Sequence, residues 1–208
     1  MTRRPALLAA ITLTAAAALS LSACGNDDKP AGADTDKGTP APSTSTASDR
    51  PKIELPSDLT YTFDWPKTGD KDEDAVLADS EQSIKAVDMA IAEQDPLSKA
   101  YRYYSEGEAA AGSRKFIQEF VDYKDRITGA KHYFAAKAKV NGDGTAGLVY
   151  CEDQNKAYNR SLKTGKTDVT PASVDNYVLY TTQLRKNAKG VWVVEKLASQ
   201  RGSDKCRP

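Results

Sequence analysis

From Thr128-Gly129 onward the apolar residues of this chain stop recurring every three or four positions and begin to alternate, nearly to the end. A period near 3.6 marks a helix lying on a core, and a period of two marks a half-buried strand. This single change of period limits the architecture more than any one motif. Helices come first, then a run of strands joined by tight turns. That order predicts an α+β domain with N-terminal helices packed on a curved antiparallel sheet.

Before the switch, Leu59, Tyr61, Phe63 and Trp65 alternate with Thr60, Thr62 and Asp64, a strand stopped by Pro66. Asp70, Asp72, Glu73 and Asp74 gather at the start of a helix predicted over 74–94, where carboxylates offset the positive end of the dipole. The spacing of a calcium loop, with its distant glutamate, is absent. Leu77, Ile84, Val87 and Ile91 form the apolar stripe of that helix. A short helix over 97–104 carries Tyr101, Tyr103 and Tyr104, whose rings either close the mouth of a core or line a ligand cavity. The next helix, over 108–126, has Phe116, Ile117, Phe120, Val121 and Ile127 on one stripe and ends at Thr128-Gly129.

After the switch, His132, Phe134, Ala136, Ala138 and Val140 share one strand face, and Asn141-Gly142-Asp143-Gly144 turns the chain back. Ala146, Leu148 and Tyr150 belong to the return strand. Further strands are expected over 157–162, 174–184 and 191–198, the last two joined by the turn Asn187-Ala188-Lys189-Gly190.

The N-terminus reads as an address. Arg3 and Arg4 precede an apolar run from Ala6 to Leu21, which is short of the roughly 20 residues that a membrane span needs. Leu21-Ser22-Ala23-Cys24 has the form of a lipobox, followed by the polar Gly25-Asn26-Asp27-Asp28. An uncleaved anchor and an ordinary secretory signal are the competing readings. The lipobox predicts a signal peptide over 1–23 and a diacylglyceryl lipid on Cys24. The protein would then sit on the extracytoplasmic face of the cell membrane, held there or shed from it. Thr2-Arg3-Arg4-Pro5 leaves Sec and twin-arginine export both open.

Residues 24–51 read as a disordered tether without a large apolar side chain, spanning roughly 25–30 Å as a flexible coil. Residues 52–208 read as a single domain.

The chain has 208 residues, with 29 basic and 29 acidic ones. Without residues 1–23 it loses Arg3 and Arg4 and no acid, so 27 basic residues face 29 acidic ones. A near-neutral chain lacks the clustered positive charge that nucleic acid requires. In an exported protein Cys151 and Cys206 are a disulfide pair in expectation; two free thiols or a metal pair are the alternatives. With one histidine and no Cys-x-x-Cys, a zinc site is short of ligands, and no cofactor is expected.

Several segments occur in an order that resembles a known family: Cys151-Glu152-Asp153, Leu162-Lys163-Thr164-Gly165-Lys166, Leu184-Arg185, Gly190-Val191-Trp192-Val193-Val194 and a closing Cys206. Asp74-Ala75-Val76-Leu77-Ala78-Asp79 and Tyr101-Arg102-Tyr103-Tyr104-Ser105 add to the likeness. Over residues 70–208 the chain resembles small secreted actinobacterial lipoproteins. Their C-terminal domain is similar to the nuclear transport factor 2-like, or SnoaL-like, cone, which belongs with the cystatin-like folds. The resemblance implies a curved sheet wrapped by helices around a conical cavity, and a structural disulfide between Cys151 and Cys206. It implies little about activity, because that fold hosts isomerases, cyclases, dehydratases and members without chemistry.

An enzyme of this type needs a carboxylate base facing an oxyanion donor. By residue type the carboxylates are Asp88, Asp122 and Asp175, and the donors are Tyr101, Tyr104, Tyr150 and Tyr180. No spacing pairs them. His132 shares strand parity with Phe134 and is either an inward-facing group or a hydrogen-bonded rim residue. Tyr101, Tyr104, His132, Tyr150 and Tyr180 are therefore the candidate cavity-lining residues, and no residue is assigned as catalytic. The leading expectation is a lipid-anchored, non-catalytic module that binds a small apolar molecule or a protein partner, with a homodimer through the sheet face as a further expectation. The alternative is an extracytoplasmic isomerase, cyclase or dehydratase using a buried Asp and a Tyr. A desolvated carboxylate within reach of a hydroxyl, beside an open cavity, favours the enzyme.

Overall fold

The structure, a computed structural model, describes residues 50–208. Cys24, the expected signal peptide and the expected tether up to residue 49 lie outside the described residues. Along the chain come β1 (Leu59–Asp64), α1 (Lys71–Ala92), α2 (Lys99–Tyr104), α3 (Gly107–Tyr123), β2 (Asp125–Val140), β3 (Thr145–Ser161), β4 (Thr167–Asp168), β5 (Tyr177–Lys186) and β6 (Trp192–Arg201). The strands form one sheet in the order β1-β2-β3-β5-β6, with β4 on the free end of β3. After β1, the three helices precede the remaining strands, as the change of period requires.

Three boundaries depart from the sequence reading. First, β1 pairs with β2 in parallel, Leu59 opposite Gly129 and Asp64 opposite Phe134, in a sheet that is otherwise antiparallel. Parallel neighbours need a long crossover, and three helices supply it. Second, α3 ends at Tyr123 rather than at Thr128-Gly129, because Lys124 takes a left-handed conformation (φ 59°) and its N–H closes the helix on Phe120 and Val121. Third, the strand expected over 157–162 is the far half of one long β3. In its polar stretch Glu152 and Asp153 continue the ladder opposite β2 and β5, and Gln154 and Asn155 fall at a register shift opposite β2.

Helix α1 begins at Lys71, three residues before the predicted start, so the acids expected ahead of it fall in its first turn and cap. The Asp70 carboxylate accepts the N–H groups of Asp72 and Glu73, and three acids occupy the first turn. Its buried face carries Val76, Leu77, Ala86, Met89, Ala90 and Ile91, but also Asp79, Ser80, Ser83 and Asp88. The segment before β1 is held down as well. Ile53 and Leu55 pack on the core, and Arg50 pairs with the buried Asp79, whose second oxygen accepts the Trp192 backbone N–H. The composition had assigned Arg50 to the tether; the structure seats it in the domain.

Strand β2 is irregular in two places. Gly129 has φ +99°, and a Cβ built there would lie 2.1 Å from the Lys156 carbonyl oxygen, so only glycine fits the close approach of β3. Farther on, the register shifts between Phe134 and Lys137, with Ala135 at φ 52°. A bulge of this kind adds one residue to one strand and so reverses which side chains face the core. Before the bulge, Lys131 and Tyr133 point inward; after it, Ala136 and Ala138 do. Beside the bulge, Cys151 on β3 lies opposite Phe134 and is disulfide-bonded to Cys206, with Cα atoms 5.5 Å apart.

Candidate functional site

Between the helices and the inner face of the sheet lies a cavity of about 920 Å³. From α1 come Ser80, Ser83, Ile84, Val87 and Asp88, whose three- and four-residue spacings place them on one helical face. Helix α3 contributes Ala109, Gly112, Phe116 and Phe120. Tyr133, Tyr150, Tyr180 and Thr182 line the sheet side, and Asp168, Pro171, Asp175 and Arg201 lie around the same space from β4, the loop after it and the end of β6. Helix α3 buries only Ala109 and Ile117. Of the apolar stripe predicted for it, Ile117, Phe120, Val121 and Ile127 pack in or against the core, whereas Phe116 faces the cavity and is 45% exposed.

The polar end of the cavity is a buried charge cluster. Lys131 Nζ lies 2.9 Å from Asp88 Oδ2 and 3.2 Å from Glu152 Oε1. All three residues are less than a tenth exposed. The Tyr61 hydroxyl donates to Asp88 Oδ2 at 2.7 Å. Tyr133 donates to Glu152 Oε1 at 2.9 Å, and Tyr180 to Glu152 Oε2 at 2.7 Å, beside the Gln154 amide. Burial alone would push the Glu152 carboxyl up. The Lys131 ammonium, with the donors on Tyr180, Gln154 and Tyr133, outweighs burial and holds it below the usual range. Burial likewise opposes the charge on Lys131, and the two carboxylates overcome it and hold the amine above an ordinary lysine. The phenols of Tyr61, Tyr133 and Tyr180 are raised by burial and by the carboxylates to which they donate.

Three polar atoms are left over. Asp88 Oδ2 takes both donors, so Oδ1 has no hydrogen-bond partner among the described residues. The buried Ser80 Oγ has none either. The Tyr150 hydroxyl is likewise unpaired among the described residues; burial and the nearby Glu152 raise its phenol. Its ring stacks on Tyr180 at 4.9 Å. Among the described residues no group of three His, Cys, Asp or Glu side chains comes together as a metal site.

The sequence candidates separate cleanly. Tyr150 and Tyr180 line the cavity. Tyr101 and Tyr104 lie outside it, fully buried in the core under α1; Tyr101 donates its hydroxyl to the Pro96 carbonyl. His132 is also outside. Its ring is half-exposed on the other side of β2 and is bound to Asp64 at 2.7 Å, because the bulge at Ala135 undoes the parity that linked it to Ala136. Asp88, expected on a polar helix face, is buried at the cavity; Asp122 is on the surface of α3, and Asp175 is exposed but borders the cavity. Lys131, Glu152, Tyr61 and Tyr133 were not singled out from sequence. Their only sequence signal is a lysine at an inward strand position, and that signal depends on knowing where the bulge lies.

No family model matches the chain, and no curated protein matches it in sequence. In structure it is similar to the ketosteroid isomerase-like protein from Erwinia carotovora atroseptica SCRI1043, at 12% identity and a TM-score of 0.45, over 64% of this chain and 98% of that one. It is also similar to a proposed scytalone dehydratase from Novosphingobium aromaticivorans DSM 12444, at 10% identity and a TM-score of 0.42, over 62% and 87% of the two chains. A third likeness is to the association domain of CaMKII from C. elegans, at 14% identity and a TM-score of 0.35, over 63% and 99%.

Proposed function

We propose that this chain is a lipid-anchored lipoprotein of the extracytoplasmic membrane face, of the actinobacterial kind its motifs resemble. Its domain binds a small, largely apolar molecule without transforming it. The lipobox at Cys24 and the polar stretch after it support the anchor. The cavity supports the binding role, since its size is that of a small-molecule site. The observation that carries the reading is the state of the cavity's polar end. Three of its tyrosine hydroxyls and its one ammonium are already committed to Asp88 and Glu152. A proton-transfer enzyme needs a base and an oxyanion donor free to meet the substrate. The network engages Lys131, three phenols and both oxygens of Glu152 with one another, and leaves Asp88 Oδ1 and the Tyr150 hydroxyl for a ligand.

One observation favours the enzyme reading. Asp88 is buried beside the cavity and lies 2.7 Å from a phenol, an arrangement on which a cone-type isomerase could be built. The ammonium of Lys131 and the Tyr61 hydroxyl already occupy one oxygen of that carboxylate.

The deciding experiment is native mass spectrometry of the protein extracted in mild detergent from its own membrane. A retained small molecule that is recovered unchanged after incubation is expected; its conversion would refute the non-catalytic reading. For the anchor, Cys24→Ser should move the protein from the membrane fraction to the medium. A variant that stays with the membrane would point to an uncleaved span.

A further inference from the structure

We infer that the cavity takes a lipophilic cation, an aromatic or alkyl amine whose ammonium sits on Asp88 Oδ1, in preference to a carboxylate of the same shape. The inference rests on the cavity being a binding site, as proposed above, and it names the chemical class of the ligand.

The first argument is the sign of the buried charge. Two carboxylates, Asp88 and Glu152, share the single ammonium of Lys131. The cluster therefore keeps one negative charge in a place where water screens it little. The unbalanced oxygen can be identified. Both oxygens of Glu152 accept from tyrosines, one with Lys131 beside it and the other with Gln154. Both donors to Asp88 use Oδ2, which leaves Oδ1 unpaired among the described residues on a side chain that borders the cavity. An ammonium or hydroxyl can donate to that oxygen, and a carboxylate cannot.

The second, independent observation is Ser80. Its hydroxyl is buried and unpartnered, and it lines the same cavity two helical turns before Asp88 on the same face of α1. A ligand polar group has a partner waiting there. The remaining surroundings agree in sign and kind. Asp168 and Asp175 border the cavity against Arg201 alone, and that guanidinium already donates to Gln154 and Asn176. The rings of Tyr150, Tyr180, Phe116 and Phe120 line the same space, and aromatic rings attract cations.

The test is a matched series with one aromatic body and three head groups: 2-naphthylethylamine, 2-naphthylethanol and 2-naphthylacetate. Each is titrated into the detergent-solubilised full chain and followed by calorimetry at neutral pH. The amine is expected to bind about tenfold or more tighter than the alcohol, and the alcohol tighter than the acid. Asp88→Asn, checked for folding by circular dichroism, should shrink the preference for amine over alcohol to within about twofold. The wild-type ranking decides the question on its own if that variant does not fold. Equal affinities, or a tighter acid, would overturn the cation inference and leave the binding reading standing. Failure of all three probes to bind would overturn the binding reading and this inference with it.

Discussion

Replacing Lys131 by methionine removes one ammonium from beneath two carboxylates while nearly preserving the volume of the side chain. Lys131 is buried, and it lies 2.9 Å from Asp88 and 3.2 Å from Glu152. Stranding a buried charge by deleting its partner costs about 3–5 kcal/mol. In a domain of this size each kcal/mol lowers Tm by about 2–4 °C, so Lys131→Met should melt about 6–20 °C below the wild type. The pH dependence provides a sharper signature. In the wild type, Glu152 is held below its ordinary value of 4.5. Its contribution is thus present above that value and lost as pH falls through the folded one. In the variant Glu152 loses its cation, and burial, now unopposed by it, raises that carboxyl above its value in the unfolded chain. The folded variant then binds protons first and gains stability as pH falls. Between about pH 7.5 and pH 5 the Tm deficit should therefore narrow. Glu152→Gln added to Lys131→Met should recover much of the loss at neutral pH. Thermal melts by circular dichroism at the two pH values measure all of this. A Lys131→Met protein that melts with the wild type, or a deficit that does not respond to pH, would refute the account of the cluster.

Gly129→Ala should cost about 2–3 kcal/mol, read from urea midpoints, because it combines a φ of +99° with a backbone clash that β3 cannot relieve; a neutral effect would mean that the two strands separate easily. Converting Cys151 and Cys206 to alanine opens a link across 55 residues and should remove about 4 kcal/mol in the chain-entropy model. An unchanged midpoint under reduction would argue against the bond. Arg50→Ala strips the ion-pair partner from the buried Asp79 and should destabilise by roughly 2 kcal/mol, with Arg50→Lys recovering part of it. No change in either variant would free the residues before β1 from any structural role.

The periodic elements were legible because their signals are local. Alternation over 59–65, stripes along α1 and α3, and the glycine turns at Asn141–Gly144 and Asn187–Gly190 each follow from neighbours a few residues apart. What escaped depends on contacts between distant segments. The parallel pairing of β1 with β2 leaves no mark in either strand. Glu152 reads as the polar end of a strand until Lys131, Tyr133 and Tyr180 are brought around it. The bulge at Ala135 carries no glycine to announce it, and it is what moved His132 outside and Lys131 inside. On α1, Asp79 and Asp88 look like solvent-facing acids. Only the arrival of Arg50 and Lys131 from other segments explains their burial. Tyr150 and Tyr180 are reached from sequence by residue type alone, and it is the pairing of Tyr150 opposite Tyr180 that puts both at the cavity.

Helix α3 gives the domain a division of labour between frame and fitting. The charge cluster, the disulfide and both hydrophobic cores rest almost wholly on the sheet and on α1 and α2, whereas α3 commits only Ala109 and Ile117 to the interior. Gly112, Ser113 and Phe116 can therefore be exchanged for larger, smaller or more polar side chains with little effect on folding. Each exchange would reshape the space that a guest occupies. A scaffold divided in this way can drift in what it accepts while its framework stays fixed, and engineering of its selectivity should begin on that helix.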